Sequence, residues 1–180
     1  MSKYFSNYFN RIDYATQSVK HTELVLISKM ILKVKTSKGK IIIVGNGGSA
    51  AIASHAAIDF TKAANIEAVT FNESSLLTCF SNDYGYEYWV EKALDFYAKK
   101  NDMAILISSS GESDNIINGA QKVKKMGLSL VTLSGFSAEN RLRNMGDVNL
   151  WVDSTQYNTV EIAHQTWILS IIDYLIDNKF

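Results

Sequence analysis

The feature that most limits the possible folds of this chain is an alternation. Short apolar, β-branched runs occur at residues 41–44, 68–71, 103–107, 128–133 and 148–152. None switches strictly between apolar and polar residues, which suits strands buried on both faces. Between them lie stretches of helical periodicity. These are 50–63, 86–98 (Tyr86, Val90, Leu94, Tyr97), 114–126 (Ile116, Ile117, Ala120, Val123) and the long, very apolar 157–177. Strands alternating with helices predict an α/β protein with a parallel sheet covered on both sides, a three-layer α/β/α sandwich with right-handed crossovers. A long helical region, residues 4–36, precedes the first strand, with Phe5, Tyr8, Ile12, Ala15 and Val19 spaced by three and four. Its second half is apolar on more than one face, which fits burial either in its own fold or against another subunit. No proline, repeat or low-complexity run marks a boundary. The expectation is one domain over 1–180, with a helical extension at 1–38 and an α/β core at 39–180.

Two strand ends carry the chemistry. The first strand runs into Gly45-Asn46-Gly47-Gly48-Ser49, and a helix follows. Glycines let backbone N–H groups approach a ligand, and a helix start adds unpaired donors and a positive dipole end. The run also satisfies G-x-G-x-x-A, a dinucleotide fingerprint, with Glu73 after the second strand as a possible ribose ligand. The third strand ends in Ser108-Ser109-Ser110-Gly111-Glu112-Ser113. Ser113 suits an N-cap, which leaves Ser108, Ser109 and Ser110 as spare donors at the carboxyl end of a strand. Hydroxyls with helix N–H groups suit the oxygens of a phosphate monoester. A nicotinamide enzyme would not need this second cradle, so the pair of turns favours a sugar phosphate without a nucleotide cofactor. Glu73 is read either as a ligand in the same cleft or as part of a helix start, where Ser74 or Ser75 would cap.

There are three histidines. His21 has no evident partner. His55 and Asp59 are four apart in the helix after the glycine turn, and Glu161 and His164 are three apart in the last helix, so each pair shares a helix face. Two imidazoles and two carboxylates suit zinc, Zn2+, as well as acid–base work.

Gly45-Asn46-Gly47-Gly48-Ser49, the segment 82–87 (NDYGYE) and Ser108-x-Ser110-Gly111-x-Ser113 together resemble the sugar isomerase (SIS) domain family. Within it they resemble the phosphoheptose isomerases, over residues 38–176 or so. The resemblance implies a flavodoxin-like SIS fold with a five-stranded parallel sheet, a long N-terminal helix, and a homotetramer with active sites shared between subunits. It implies phosphate contacts at Ser108, Ser110 and Ser113 and substrate contacts at Asn46 and Ser49, with Gly47 beside them. It implies that sedoheptulose 7-phosphate is converted to an aldoheptose 7-phosphate, a step of surface-polysaccharide precursor synthesis. Metal-dependent members carry a His at the position of His55 and a Glu at that of Asp59. In the last helix their Gln falls on Glu161 and their acid His on Leu169. Leucine neither ligates nor transfers protons, so the expectation passes the role to His164.

The expected catalytic residues are therefore Asp59, Glu161 and His164, and the expected zinc ligands are His55, Asp59, Glu161 and His164. The alternative is a non-catalytic SIS-fold phosphosugar-binding or regulatory protein, such as a homologue that associates with a replication initiator. The departures at Asp59 and Leu169 favour that alternative, and the retained His55 and the Glu161/His164 step oppose it. Charge is balanced at 18 basic against 18 acidic residues, so nothing draws the chain to nucleic acid or a membrane surface. With Cys79 the lone cysteine and no apolar leader at the start, a cytoplasmic protein is expected.

Overall fold

The computed structural model describes residues 1–178; positions 179 and 180 of the expected core lie outside them. Two helices, α1 (Ser2–Gln17) and α2 (His21–Thr36), lead into β1 (Ile41–Gly45), α3 (Gly48–Lys62) and β2 (Ala68–Thr70). Then come α4 (Ser74–Tyr84), α5 (Trp89–Tyr97), β3 (Met103–Ser108), α6 (Asp114–Lys125) and β4 (Ser129–Ser134). A 3₁₀ turn (Leu142–Asn144), β5 (Val148–Trp151) and α7 (Tyr157–Asp177) complete the order. All strand pairs are parallel, and the sheet order is β2-β1-β3-β4-β5.

Successive strand side chains point to opposite faces, so each apolar run feeds two cores. Ile41, Ile43, Ile105, Ile107, Val131 and Leu133 pack with residues of α1, α2, α3 and α7. Ile42, Val44, Ala104, Leu106 and Leu130 pack with α5 and α6 on the other face. This two-sided burial explains why no run alternates with polar residues.

The N-terminal helical region is present but divided at residues 18–20, where Lys20 is extended. Unbroken, a helix over 4–36 would be roughly 50 Å long and would overshoot the domain. The break lets both halves fold back against α7. Arg11 Nε donates to Thr159 Oγ1 (3.1 Å) and Trp167 Nε1 donates to the Thr16 carbonyl (2.7 Å). After β2 the chain takes the helix-start alternative at Glu73. It forms α4, and Asn82, Asp83 and Tyr84 make its last turn before Gly85 ends it at φ 94°. Among the described residues, no helix is long and apolar enough to cross a membrane.

What positions the site is the strand order. The chain leaves β1 for β2 on one side and reaches β3 on the other, so the ends of β1 and β3 are neighbours at the point where the winding reverses. In open parallel sheets that crevice is where ligands bind.

Candidate active site

The turns after β1 and β3 face each other across that crevice. Gly47 sits at φ 52°, a conformation that costs a side chain strain, and this sharp bend starts α3. The amides of Asn46 and Asn115 pair reciprocally: Asn46 Nδ2 donates to Asn115 Oδ1 and Asn115 Nδ2 to Asn46 Oδ1, each at 2.9 Å. Tyr86 adds a hydroxyl bond to Asn46 Oδ1 (3.1 Å). Asn115 is buried in the first turn of α6. Satisfied buried amides rigidify what they join, so this pair locks the glycine turn to the serine turn.

In the serine turn, Gly111 N–H closes onto the Ser108 carbonyl (3.0 Å), and Gly111 lies at φ 70°. Ser108 Oγ donates to Ser113 Oγ (3.1 Å), and Ser110 Oγ accepts from Glu112 N–H (3.2 Å). Ser113 occupies the N-cap position of α6 without bonding its backbone, so its hydroxyl stays with the turn. Ser49 and Ser109 are buried with their hydroxyls 3.5 Å apart. Ser109 Oγ in turn donates to Glu161 Oε1 (3.4 Å). The Glu161 carboxylate lies over Gly48, where a Cβ would overlap it. A negative group at the start of α3 is favoured by the helix dipole and by unpaired N–H donors. Ser49, Ser109 and Glu161 thus connect both turns to the last helix.

Beyond Glu161 a cleft of about 550 Å³ opens between α3 and α7, with Tyr8 of α1 at its edge. Its far end holds His55. Asp59 Oδ2 lies 3.1 Å from His55 Nε2, and Gln165 Nε2 donates to His55 Nδ1 (3.2 Å). Since Gln165 can only donate there, the ring proton of neutral His55 is on Nε2 and faces Asp59. Seven residues separate Gly48 from His55, so along α3 the dyad lies about 10 Å from the turns.

Two expected residues stand elsewhere. His164 is fully buried in the core, and its Nε2 lies 3.0 Å from the Ser134 carbonyl. Burial is the main cause that lowers its pKa to about 4, against the opposing carbonyl bond. It faces the sheet rather than the cleft, so the structure does not bring His164 to the groups it was expected to join as acid and zinc ligand. Sharing a helix face with Glu161 in sequence did not suffice, because the two point to different sides of a turn packed on the sheet. Glu73 caps α4: its carboxylate accepts from Ser75 N–H (3.0 Å) and Leu76 N–H (2.9 Å). Those bonds, Ser75 first, hold its pKa below the usual carboxylate value. It borders a separate groove of about 740 Å³ beside β2, which contains none of the other candidates. The larger concavity is therefore not the one with the chemistry.

Zinc fits poorly within one protomer. Among the described residues no three His, Cys, Asp or Glu side chains converge in a way that could hold a metal. His55 and Asp59 are together, but Glu161 is directed to the serine turn and His164 is sealed off. Residues not anticipated from sequence are Asn115, Gln165 and Tyr86. Gln165 was findable, being one helical turn beyond Glu161; Asn115 and Tyr86 gave no local signal.

An α/β sheet with an anion-type crevice at its winding reversal defines the class, and residues 3–135 match the family model described as the SIS domain. A phosphoheptose isomerase of Campylobacter concisus is 33% identical over 164 residues, covering 87% of this chain and 85% of that protein. One of Helicobacter pylori is 34% identical over 143 residues, covering 76% and 74%. The structure of a phosphoheptose isomerase from Neisseria gonorrhoeae superposes with a TM-score of 0.87 at 26% identity, covering 97% of this chain and 96% of that one. The chain belongs to the SIS domain family, in its phosphoheptose isomerase branch.

Proposed function

We propose that this protein is an aldose–ketose isomerase that converts sedoheptulose 7-phosphate to D-glycero-D-manno-heptose 7-phosphate through an enediol. Membership of the phosphoheptose isomerase branch supports the substrate class. The observation that carries the reading is the Ser109–Glu161 contact, which joins a hydroxyl-rich anion seat to a carboxylate at the head of a cleft.

The serine turn, with Ser108, Ser110 and Ser113 and the N–H groups of α6, receives the phosphate. Asn46, Gly47 and Ser49 line the adjoining wall. Binding at this remote end orients the carbon chain along the cleft, so the reacting carbons meet fixed groups. Asp59 or Glu161 is the base that moves the proton between C1 and C2, Glu161 at the head of the cleft and Asp59 beside His55 at its far end. Asp59 is engaged with His55, whereas Glu161 has one long bond to a serine hydroxyl. His55, oriented by Asp59 and Gln165, exchanges the hydroxyl protons as the enediol forms and collapses. No step is routed through zinc, since His55 and Asp59 alone do not make a ligand set; metal analysis of the purified protein checks that expectation.

A homotetramer with sites between subunits is part of the proposal. Tyr4, Phe5, Phe9 and Tyr14 of α1 are 54–75% exposed, an apolar display that a second copy would cover. A cytoplasmic location agrees with the single free Cys79.

The test is conversion of sedoheptulose 7-phosphate followed by NMR. Turnover is expected in the unaltered protein, and whichever of Asp59→Asn and Glu161→Gln removes the base should lower kcat by about 10²–10⁴-fold with KM little changed, the range for a lost general base. Phosphosugar binding without turnover would leave the non-catalytic reading standing instead.

A further inference from the structure

The serine turn carries a difficulty of its own. A seat for a phosphate dianion contains Glu112 within the turn and Asp114 at the first residue of α6. Left ionised and unpaired, two carboxylates would repel the ligand the turn is shaped to hold. One residue from a different loop answers both. Arg141 N–H donates to Glu112 Oε1 (2.9 Å) and Arg141 Nε to Glu112 Oε2 (2.6 Å). Its Nη2 donates to the Glu112 carbonyl (2.7 Å) and to Asp114 Oδ1 (2.9 Å). Four bonds from one residue therefore converge on two positions, Glu112 and Asp114.

The loop that presents Arg141 is itself anchored. Asn140 is 1% exposed, and its Nδ2 donates to the carbonyls of Gly135 (3.1 Å) and Ser137 (2.7 Å). Leu142 N–H donates to the Gly111 carbonyl and Gly135 N–H to that of Ser109. At Gly111 the Asn140 side chain fills the space a Cβ would take. The loop after β4 and the turn after β3 are thus mated surfaces, and Arg141 extends from that loop onto the carboxylates of the turn. Glu112 titrates below its usual range, first because of the Arg141 side-chain bond.

We propose that Arg141 is a positioning residue for phosphate capture: it fixes the geometry of the turn after β3 through Glu112 and offsets part of the negative charge that Glu112 and Asp114 place beside the anion seat. This rests on the phosphate-seat reading above and deepens it. The Arg141 and Glu112 side chains are 50% and 48% exposed. Ion pairs at such exposure contribute little to stability. Loss of Arg141 should therefore act on ligand affinity while leaving the core intact.

The experiment measures inorganic phosphate affinity by calorimetry, steady-state kinetics and thermal melting for the full chain. Arg141→Ala is expected to weaken phosphate binding and raise KM for the phosphosugar by about tenfold, with kcat within about twofold and little change in Tm. Arg141→Lys restores charge without the fork and should recover part of the loss. Adding Glu112→Gln to Arg141→Ala removes the uncompensated carboxylate and should also recover affinity, which a merely structural role would not do. Unchanged phosphate affinity in Arg141→Ala, or a double variant weaker than the single, overturns the proposal while the isomerase reading stands. If the unaltered protein binds no phosphate, the seat itself falls and this inference falls with it.

Discussion

His164 illustrates how one side chain is decided by its surroundings. Its imidazole is buried, with Nε2 on a carbonyl and Nδ1 without a partner, so the charged form is disfavoured. An unfolded histidine takes its proton near 6.5, while this one takes it near 4. Between those values the unfolded chain holds more protons, so stability falls as pH drops from about 6.5 to about 4 and levels off below. The whole drop is about 3 kcal/mol. His164→Leu should flatten that segment of the curve, measured as urea midpoints from pH 7 to pH 4; an unchanged slope would assign the acid sensitivity to other groups. The His55–Asp59 pair, by contrast, was legible from spacing alone, because i and i+4 residues meet on any helix. Gln165 completes it from another element, which no local rule predicts.

At the scale of elements, the strands and most helices were legible because burial on both faces and helical periodicity leave marks in the sequence. The exception, α4, was obscured twice. Its N-cap is Glu73 rather than one of the usual short polar residues, and none of its side chains is buried despite Leu76, Leu77 and Phe80. The turn between β3 and α6 depends on backbone form as well as hydroxyls. Gly111→Ala would place a methyl group against Asn140 at positive φ. It should cost about 1–3 kcal/mol and weaken phosphate binding, checked by melting and calorimetry together. Normal stability with normal binding would mean the turn tolerates another shape. Asn115→Ala belongs to the same element joint. Cutting the reciprocal amide pair leaves Asn46 half satisfied, and the expected result is a higher KM through a loosened glycine turn.

For the molecule as a whole, the proposed assembly rests on the apolar display of α1. A tetramer predicts a particle four times the 20.1 kDa chain by light scattering. Phe9→Glu should then shift it to smaller species by placing a charge in an apolar contact, and a monomeric unaltered protein would refute the shared-site expectation. By itself the sequence determined the parallel α/β architecture, the two glycine- and serine-bearing turns and the His55–Asp59 pair. Those are consequences of periodicity, turn chemistry and helical spacing, all short-range. Only the tertiary structure decided that Glu161 reaches the serine turn, that His164 lies in the core and that Arg141 holds the serine turn from another loop. Each of these depends on which face of an element meets which neighbour. That is set by the packing of residues far apart in the chain, not by any pattern within one segment.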